Sequence, residues 1–229
     1  SNTSGSITST VSASATSGFS IVSYTGTGAN ATVGHGLGAV PKMIILKSRS
    51  NAYNWGVYHA SIGATKYLRL NSTNAEATSS AYFQDTAPTS TLITLGSDLN
   101  INDSGNMIAY CFAEKQGYSK FGSYTGNGST DGTFVYLGFK PAFVINKRTD
   151  STSGWDIFDN RRLGYNVANR LLGANSSAAE STTDKLDILS NGFKMRTTSG
   201  GNYSGATYIY MAFAEEPFVA SNFNAATAR

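Results

Sequence analysis

The hexapeptide Ser23-Tyr24-Thr25-Gly26-Thr27-Gly28 returns as Ser123-Tyr124-Thr125-Gly126-Asn127-Gly128, one hundred residues later. The same offset carries Pro41 onto Pro141 and Trp55 onto Trp155, and these are the only two tryptophans in the chain. Farther along, the register slips by one to four residues and then recovers. Asn71-Ser72-Thr73-Asn74-Ala75-Glu76 answers to Asn175-Ser176-Ser177-Ala178-Ala179-Glu180, Ser104-Gly105 to Ser204-Gly205, and Phe112-Ala113-Glu114 to Phe213-Ala214-Glu215. Scarce residue types kept in one order, with small insertions between them, point to a unit of about a hundred residues present twice.

Around each hexapeptide the pattern reads as strand and turn. Phe19-Ser20-Ile21-Val22-Ser23-Tyr24 leads into the glycine turn, and a loop through Gly34-His35-Gly36-Leu37-Gly38 leads to Pro41. Met43-Ile44-Ile45-Leu46-Lys47 is too short and too closely flanked by breakers for a helix, so it reads as a central strand. Further strands are expected at 55–58, 67–70, 81–83, 92–95 and 107–113, and in the second half at 134–136, 143–147, 155–158, 193–196 and 208–211. The one helical temptation, 166–172, is read as strand by analogy with 67–70. This density of short strands predicts an all-β protein of two tandem antiparallel β-sandwiches, jelly-roll-like, over residues 18–116 and 117–218. Residues 1–17 read as a Ser/Thr-rich flexible leader or an edge strand that pairs with its own module or a neighbour. Residues 219–229 read as a C-terminal tail.

Composition narrows the function classes. Charged residues make up 14% of the chain and the formal net charge is +3, with both signs interspersed. That balance gives no basic face for nucleic acid. No apolar run approaches the ~20 residues of a membrane helix, and the start lacks the basic-then-apolar order of a signal peptide. The single cysteine, Cys111, sits in an apolar run and reads as a buried hydrophobe.

Several phrases are family-specific. They include Gly5-Ser6-Ile7-Thr8-Ser9-Thr10-Val11-Ser12, Gly18-Phe19-Ser20-Ile21-Val22-Ser23-Tyr24-Thr25-Gly26 and Val33-Gly34-His35-Gly36-Leu37-Gly38. Ala109-Tyr110-Cys111-Phe112-Ala113-Glu114 and Tyr118-Ser119-Lys120-Phe121-Gly122-Ser123-Tyr124-Thr125-Gly126 complete the set. Over nearly its whole length the chain resembles a duplicated module of tailed-phage virion proteins, frequent in phages of cyanobacteria and other marine bacteria. The resemblance implies a protein of the virion surface, of the tail-fibre kind, that contacts the host. It brings no catalytic residues with it.

Candidate chemistry is sparse. His35 and His59 have no nucleophile or acid at motif spacing, and they align with Val135 and Asp159 in the second half. Asp156, Asp159, Arg161 and Arg162 form the densest charge cluster. On a strand Asp156 and Asp159 point to opposite faces, which disfavours a glycosidase acid pair. An ion pair of Asp159 with Arg161 or Arg162, pinning a loop, is the expected arrangement. Asp98-Leu99-Asn100-Ile101-Asn102-Asp103 alternates oxygen ligands like a calcium loop, but Asp103 and Ala109 stand where that loop needs Gly and Glu. A polar strand and hairpin turn are expected there, with no metal and no cofactor. Aromatics beside polar groups can hold a glycan, and Tyr53, Asn54 and Trp55, or Trp155 with Asp156, are the candidates. A tryptophan kept in both halves reads first as a core anchor, and the glycan contact is the alternative. The expected protein is therefore non-catalytic. Its expected partners are copies of itself, other virion proteins and a host surface glycan or receptor. A structural decoration or fibre subunit joined through the leader or the tail is the alternative, and a glycan depolymerase the minor one.

Overall fold

The computed structural model describes residues 1–162, 166 and 170–216. The chain divides into two compact units: Ser1–Asn71 with Glu76–Glu114, and Ser72–Ala75 with the chain from Lys115 onward. Both are antiparallel β-sandwiches. No helix among the described residues is long and apolar enough to cross a membrane.

The first unit contains β1 (Ser9–Ser14), β2 (Phe19–Thr25), β3 (Ala31–Gly34), β4 (Met43–Ser48), β5 (Gly56–His59), β6 (Lys66–Arg69) and β7 (Ala77–Thr78). After these come α1 (Ser80–Phe83), β8 (Leu92–Leu95), α2 (Leu99–Asn102) and β9 (Asn106–Phe112). Its large sheet has the order β1-β2-β9-β4-β5-β6-β7, and β3 pairs with β8 in a small second sheet. Val22 and Tyr24 of β2, Ile44 and Leu46 of β4, and Met107, Ala109 and Cys111 of β9 meet Val33, Ile93 and Leu95 of the small sheet in one core. Burial pushes the Cys111 thiol up to about 12, so it packs there as a small apolar group.

The second unit contains β10 (Ser119–Thr125), β11 (Phe134–Tyr136), β12 (Pro141–Arg148), β13 (Trp155–Asp159), β14 (Leu172–Gly173), β15 (Leu186–Leu189), β16 (Gly192–Met195) and β17 (Thr207–Ala214). The large sheet runs β10-β17-β12-β13-β14 and the small one β11-β16-β15. Val144, Phe158, Tyr208 and Tyr210 meet Val135, Phe193, Met195 and Leu186 between them.

The repeated hexapeptide does the same work in both units. Tyr24 donates its hydroxyl to Ile101 O at 2.6 Å, and Tyr124 to Gly201 O at 2.8 Å. Burial raises the pKa of both phenols, which keeps them donors. Beyond the strand, the Gly28 N–H bonds Asn102 O and the Gly128 N–H bonds Asn202 O, each at 2.8 Å. Both glycines have positive φ, 65° and 67°, where a side chain is strained. The asparagine then locks the turn. Asn102 Oδ1 accepts from Thr27 N while its Nδ2 donates to the carbonyls of Ala29 and Gly96. Asn202 Oδ1 accepts from Asn127 N while its Nδ2 donates to Ser129 and Thr197. Both asparagines are completely buried. A buried amide with its donors and acceptor all used is stable, and without it the buried carbonyls of Gly96 and Thr197 would be orphaned.

Three expectations change. Residues 81–83 form the helical turn α1, not a strand. Ser79 caps it by accepting from Ala81 N, and Gln84 closes it in the left-handed region at φ 49°. Tyr82 and Phe83 are adjacent and both buried, and Tyr82 stacks on Tyr67 at 3.6 Å, a placement that a one-sided strand cannot give to neighbours. Asp98-Leu99-Asn100-Ile101-Asn102 is α2 capped by Asp98, not a polar strand. The flexible reading of residues 1–17 also gives way. Ser9–Ser14 pairs antiparallel with β2, Ile7 is buried and bridges Val33, and Asn2 pairs back on Ser9. Strands β3, β7 and β15 lie where none was expected. Of 166–172, only Leu172 opens a described strand, and 163–165 and 167–169 lie outside the described residues, as do 219–229.

Candidate functional site

The ring candidates separate on burial. Trp155 is 1% exposed, so it is a core residue and presents no face to a sugar; its N–H on the backbone donates to Asn175 Oδ1 at 2.7 Å. Trp55 is half-buried, and its backbone N–H meets Asn71 Oδ1 at 3.0 Å in the matching bond. Asn54 is committed: its N–H donates to Asn100 Oδ1 and its Oδ1 accepts from Asn71 Nδ2. Tyr53 beside it is half-buried. Asp156 pairs with Lys185 at 3.2 Å, and both side chains are mostly enclosed. Trp55 and Trp155 thus share a backbone anchor on an asparagine side chain, and of the two only Trp55 leaves part of its side chain at the surface.

Within the charge cluster Asp159 pairs with Arg162 and not with Arg161. Arg162 Nε bonds Asp159 Oδ2, and Arg162 Nη1 reaches Glu180 Oε2 at 2.8 Å. Arg161 contributes only its backbone N–H, 2.9 Å from Asp159 Oδ1. Burial pushes the Asp159 carboxyl up, but the Arg162 guanidinium and the N–H groups of Arg161 and Arg162 outweigh it and hold the carboxyl below its usual range.

Neither histidine faces solvent. His35 and His59 are completely buried. His35 Nδ1 accepts from Leu37 N at 3.3 Å, so Nε2 carries the proton and donates to Thr89 O at 3.1 Å. Burial lowers its pKa, and the ring is a neutral structural clamp. Its place in the ladder also differs from the simple offset. Val33 faces Ile93 and Val135 faces Phe193, so Val135 corresponds to Val33, and Leu137 stands where His35 does.

The calcium-like stretch is spent on structure. Asp98 Oδ1 accepts from the backbone and side chain of Asn100, at 2.8 and 2.7 Å. Asp103 Oδ2 accepts from Asn51 Nδ2 at 2.7 Å and Ser48 Oγ at 3.0 Å, and these bonds hold its carboxyl below the usual range. Among the described residues no group of three His, Cys, Asp or Glu side chains converges as a metal site.

The aromatic surface lies instead on the small sheet of the second unit. In β11 the exposure alternates: Phe134 is 44% exposed, Val135 is 6%, and Tyr136 is 59%. Phe134 and Tyr136 therefore stand on one face, about 6.6 Å apart along the strand. Opposite them on β16 are Lys194 and Gly192. A Cβ at Gly192 would run into Val135 O and come within 3.2 Å of the Phe134 ring, so glycine here leaves room for the partner backbone and for the ring. Lys120 Nζ sits 5.2 Å from the Tyr136 ring centre and donates to Tyr136 O at 2.9 Å. Lys194 pairs with Asp131, whose side chain is 82% exposed, and the Lys194 bond draws its carboxyl below the usual range. Two exposed rings ringed by ammonium and carboxylate groups can stack on the apolar face of a pyranose and bond its hydroxyls. Lys194 is paired there with Asp131, while Lys120 is held on the Tyr136 carbonyl and ring.

The sequence reading passed over this pair because it weighted tryptophans. The available signal was Phe134-Val135-Tyr136 itself, a strand with an aliphatic residue inward and rings at both outward positions. No curated protein and no solved structure matches the chain. A family model described as a domain of unknown function (DUF7483) matches residues 1–217, and the chain belongs to that family.

Proposed function

We propose that this chain is a non-catalytic recognition module of a tailed-phage particle surface, in the distal part of a tail fibre, and that it holds a host saccharide on Phe134 and Tyr136. The observation that carries the reading is the pair of outward rings on β11, fixed on a sheet and bordered by Lys120, Lys194 and Asp131. The place on a virion rests on the resemblance of the hexapeptide region and its flanks to virion modules. A single shallow platform of this kind gives weak contacts, and repetition around an assembly supplies the avidity.

The test is binding of the intact chain to an array of bacterial surface polysaccharides, together with competition against phage adsorption to host cells. Phe134→Ala with Tyr136→Ala is expected to weaken saccharide binding at least about tenfold, roughly 1.4 kcal/mol, while the melting temperature stays put because both rings are exposed. Binding that survives the double substitution sinks the platform, and failure to bind any saccharide or compete for adsorption sinks the recognition role.

A further inference from the structure

We infer that β1 is an assembly edge, through which two copies of this chain pair antiparallel about a two-fold axis at Ser12. An open sheet edge invites another chain, and proteins blunt their edges by shortness, inward charge or capping. The other edges among the described residues are all blunted. β7 and β14 have two residues each. β3 is covered by Ile7, whose N–H donates to Thr32 O at 2.9 Å. On β8, Leu92 is bonded by Thr89 and the Leu95 carbonyl takes Gln84 Nε2 at 2.6 Å. β10 carries Lys120 on its core side, and that same ammonium caps β11 at Tyr136 O. On β15, Ile188 N donates to Asn166 Oδ1 at 3.0 Å.

β1 has none of these devices. It is six residues of Ser, Thr, Val and Ala, and no Asp, Glu, Lys or Arg precedes Lys42 in the chain. The direction of its free groups follows from the bonds on the page. Ser9 exchanges both backbone bonds with Asn2, at 2.9 and 2.7 Å, on the side away from β2. Alternation along the strand then turns the N–H and C=O of Val11 and Ala13 outward too, while Thr10, Ser12 and Ser14 bond β2. The Asn2–Ser9 pair closes one end of the edge, and the turn in which Ser17 N bonds Ser14 Oγ closes the other. What remains is a self-complementary segment. Val11 opposite Ala13 of a second copy, and Ala13 opposite its Val11, makes four backbone bonds and places the two Ser12 residues face to face. The small neutral side chains bring no like-charge repulsion to the junction.

Sedimentation velocity of the full chain over a concentration series is expected to show a monomer–dimer equilibrium. Ala13→Pro removes one outward N–H that the fold does not use, and proline is tolerated on an edge in that position. It is expected to abolish the dimer with the circular dichroism and melting temperature unchanged. Ser12→Cys adds a thiol at a non-hydrogen-bonded pair about 4.5 Å apart, within disulfide reach. Under oxidation it is expected to give a cross-linked dimer on a non-reducing gel, since Cys111 is buried. Phe134→Ala with Tyr136→Ala should leave the dimer intact, which separates this outcome from that of the saccharide reading. A wild-type chain that stays monomeric throughout, a dimer that survives Ala13→Pro, or a Ser12→Cys chain that does not cross-link would each overturn the pairing.

Discussion

In the first unit the Gly34 carbonyl at the end of β3 accepts from Ser9 Oγ at 3.1 Å; in the second, the Tyr136 carbonyl at the matching place accepts from Lys120 Nζ at 2.9 Å. The first unit closes that rim with chain. Residues 2–14 lie along both of its sheets, and a Cβ at Gly34 would run into the Asn2 side chain. The second unit has no free segment to spend there, because the residues before β10 are β9 of the first. A lysine and an exposed tyrosine do the same capping with side chains. The consequence is a difference in surface: the first unit presents a bland strand edge, and the second presents rings.

The interiors diverge in the same manner. At Leu46 and Gly56 the first unit is apolar, and a Cβ on Gly56 would strike Ile101 of α2 and lie 3.4 Å from Tyr82 of α1. Among its described residues the second unit has neither helix. Asn146 and Asp156 face each other across β12 and β13 at that level, and Lys185 answers Asp156. The ladders are alike while the material that fills the open end is not. A sheet tolerates this because its hydrogen bonds are made by backbone, whatever the side chains carry.

The comparison breaks most readily where the fillers differ. Gly56→Asp should cost at least about 3 kcal/mol, since it buries an unpaired carboxylate and collides with Ile101. Asp156→Gly should cost less, about 1–2 kcal/mol, because the long Lys185 side chain can turn toward water. Urea unfolding followed in single-tryptophan backgrounds reads the units separately, with Trp55 reporting on the first and Trp155 on the second. Equal losses at the two sites would show that the difference in filling carries no energy.

The shared lock should behave alike in both units. Asn102→Ala and Asn202→Ala each strand one buried carbonyl, of Gly96 or Thr197, and release a part-buried carbonyl and N–H, so each should lose about 2 kcal/mol. The same fluorescence readout checks that the loss appears in the substituted unit. A large effect in one unit and none in the other would mean that the turns are alike only in shape.

The smallest expected effect distinguishes the units by pH. His35 is buried neutral, with its folded pKa below the ordinary value. The unfolded chain therefore takes up the proton first. Stability from this group is complete above pH about 6.5 and falls as pH drops below it, by at most about 1.4 kcal/mol per pH unit. Leu137 holds the equivalent place in the second unit and cannot titrate. Stability against pH between 7.5 and 5 should slope for the Trp55 signal, and His35→Leu should flatten that slope while lowering stability at high pH through the orphaned Thr89 and Leu37 groups. An unchanged slope in His35→Leu would clear this residue of the effect.

Much of the architecture was legible from residue order. Paired Tyr-x-Gly-x-Gly turns, the runs beginning at Met43 and Phe143 and the outward alternation in β9 depend on local sterics and on one buried face, so they show in a linear pattern. Residues 81–83 were misread because aromatic content favours a strand, while the Ser79 cap and the stack on Tyr67 favour a turn of helix. For residues 1–17 the sequence left a flexible leader and an edge strand both open, because small polar residues carry only a faint alternation; the edge of β2 and the Thr32 carbonyl decide for the strand. By itself the sequence determined that the chain is built of short antiparallel strands with two matching glycine turns, because those follow from side-chain period and from φ. Only the tertiary structure decided that Trp155 is enclosed and Tyr136 is open, because exposure depends on which segment lies over a strand, and residues distant in the chain supply that cover.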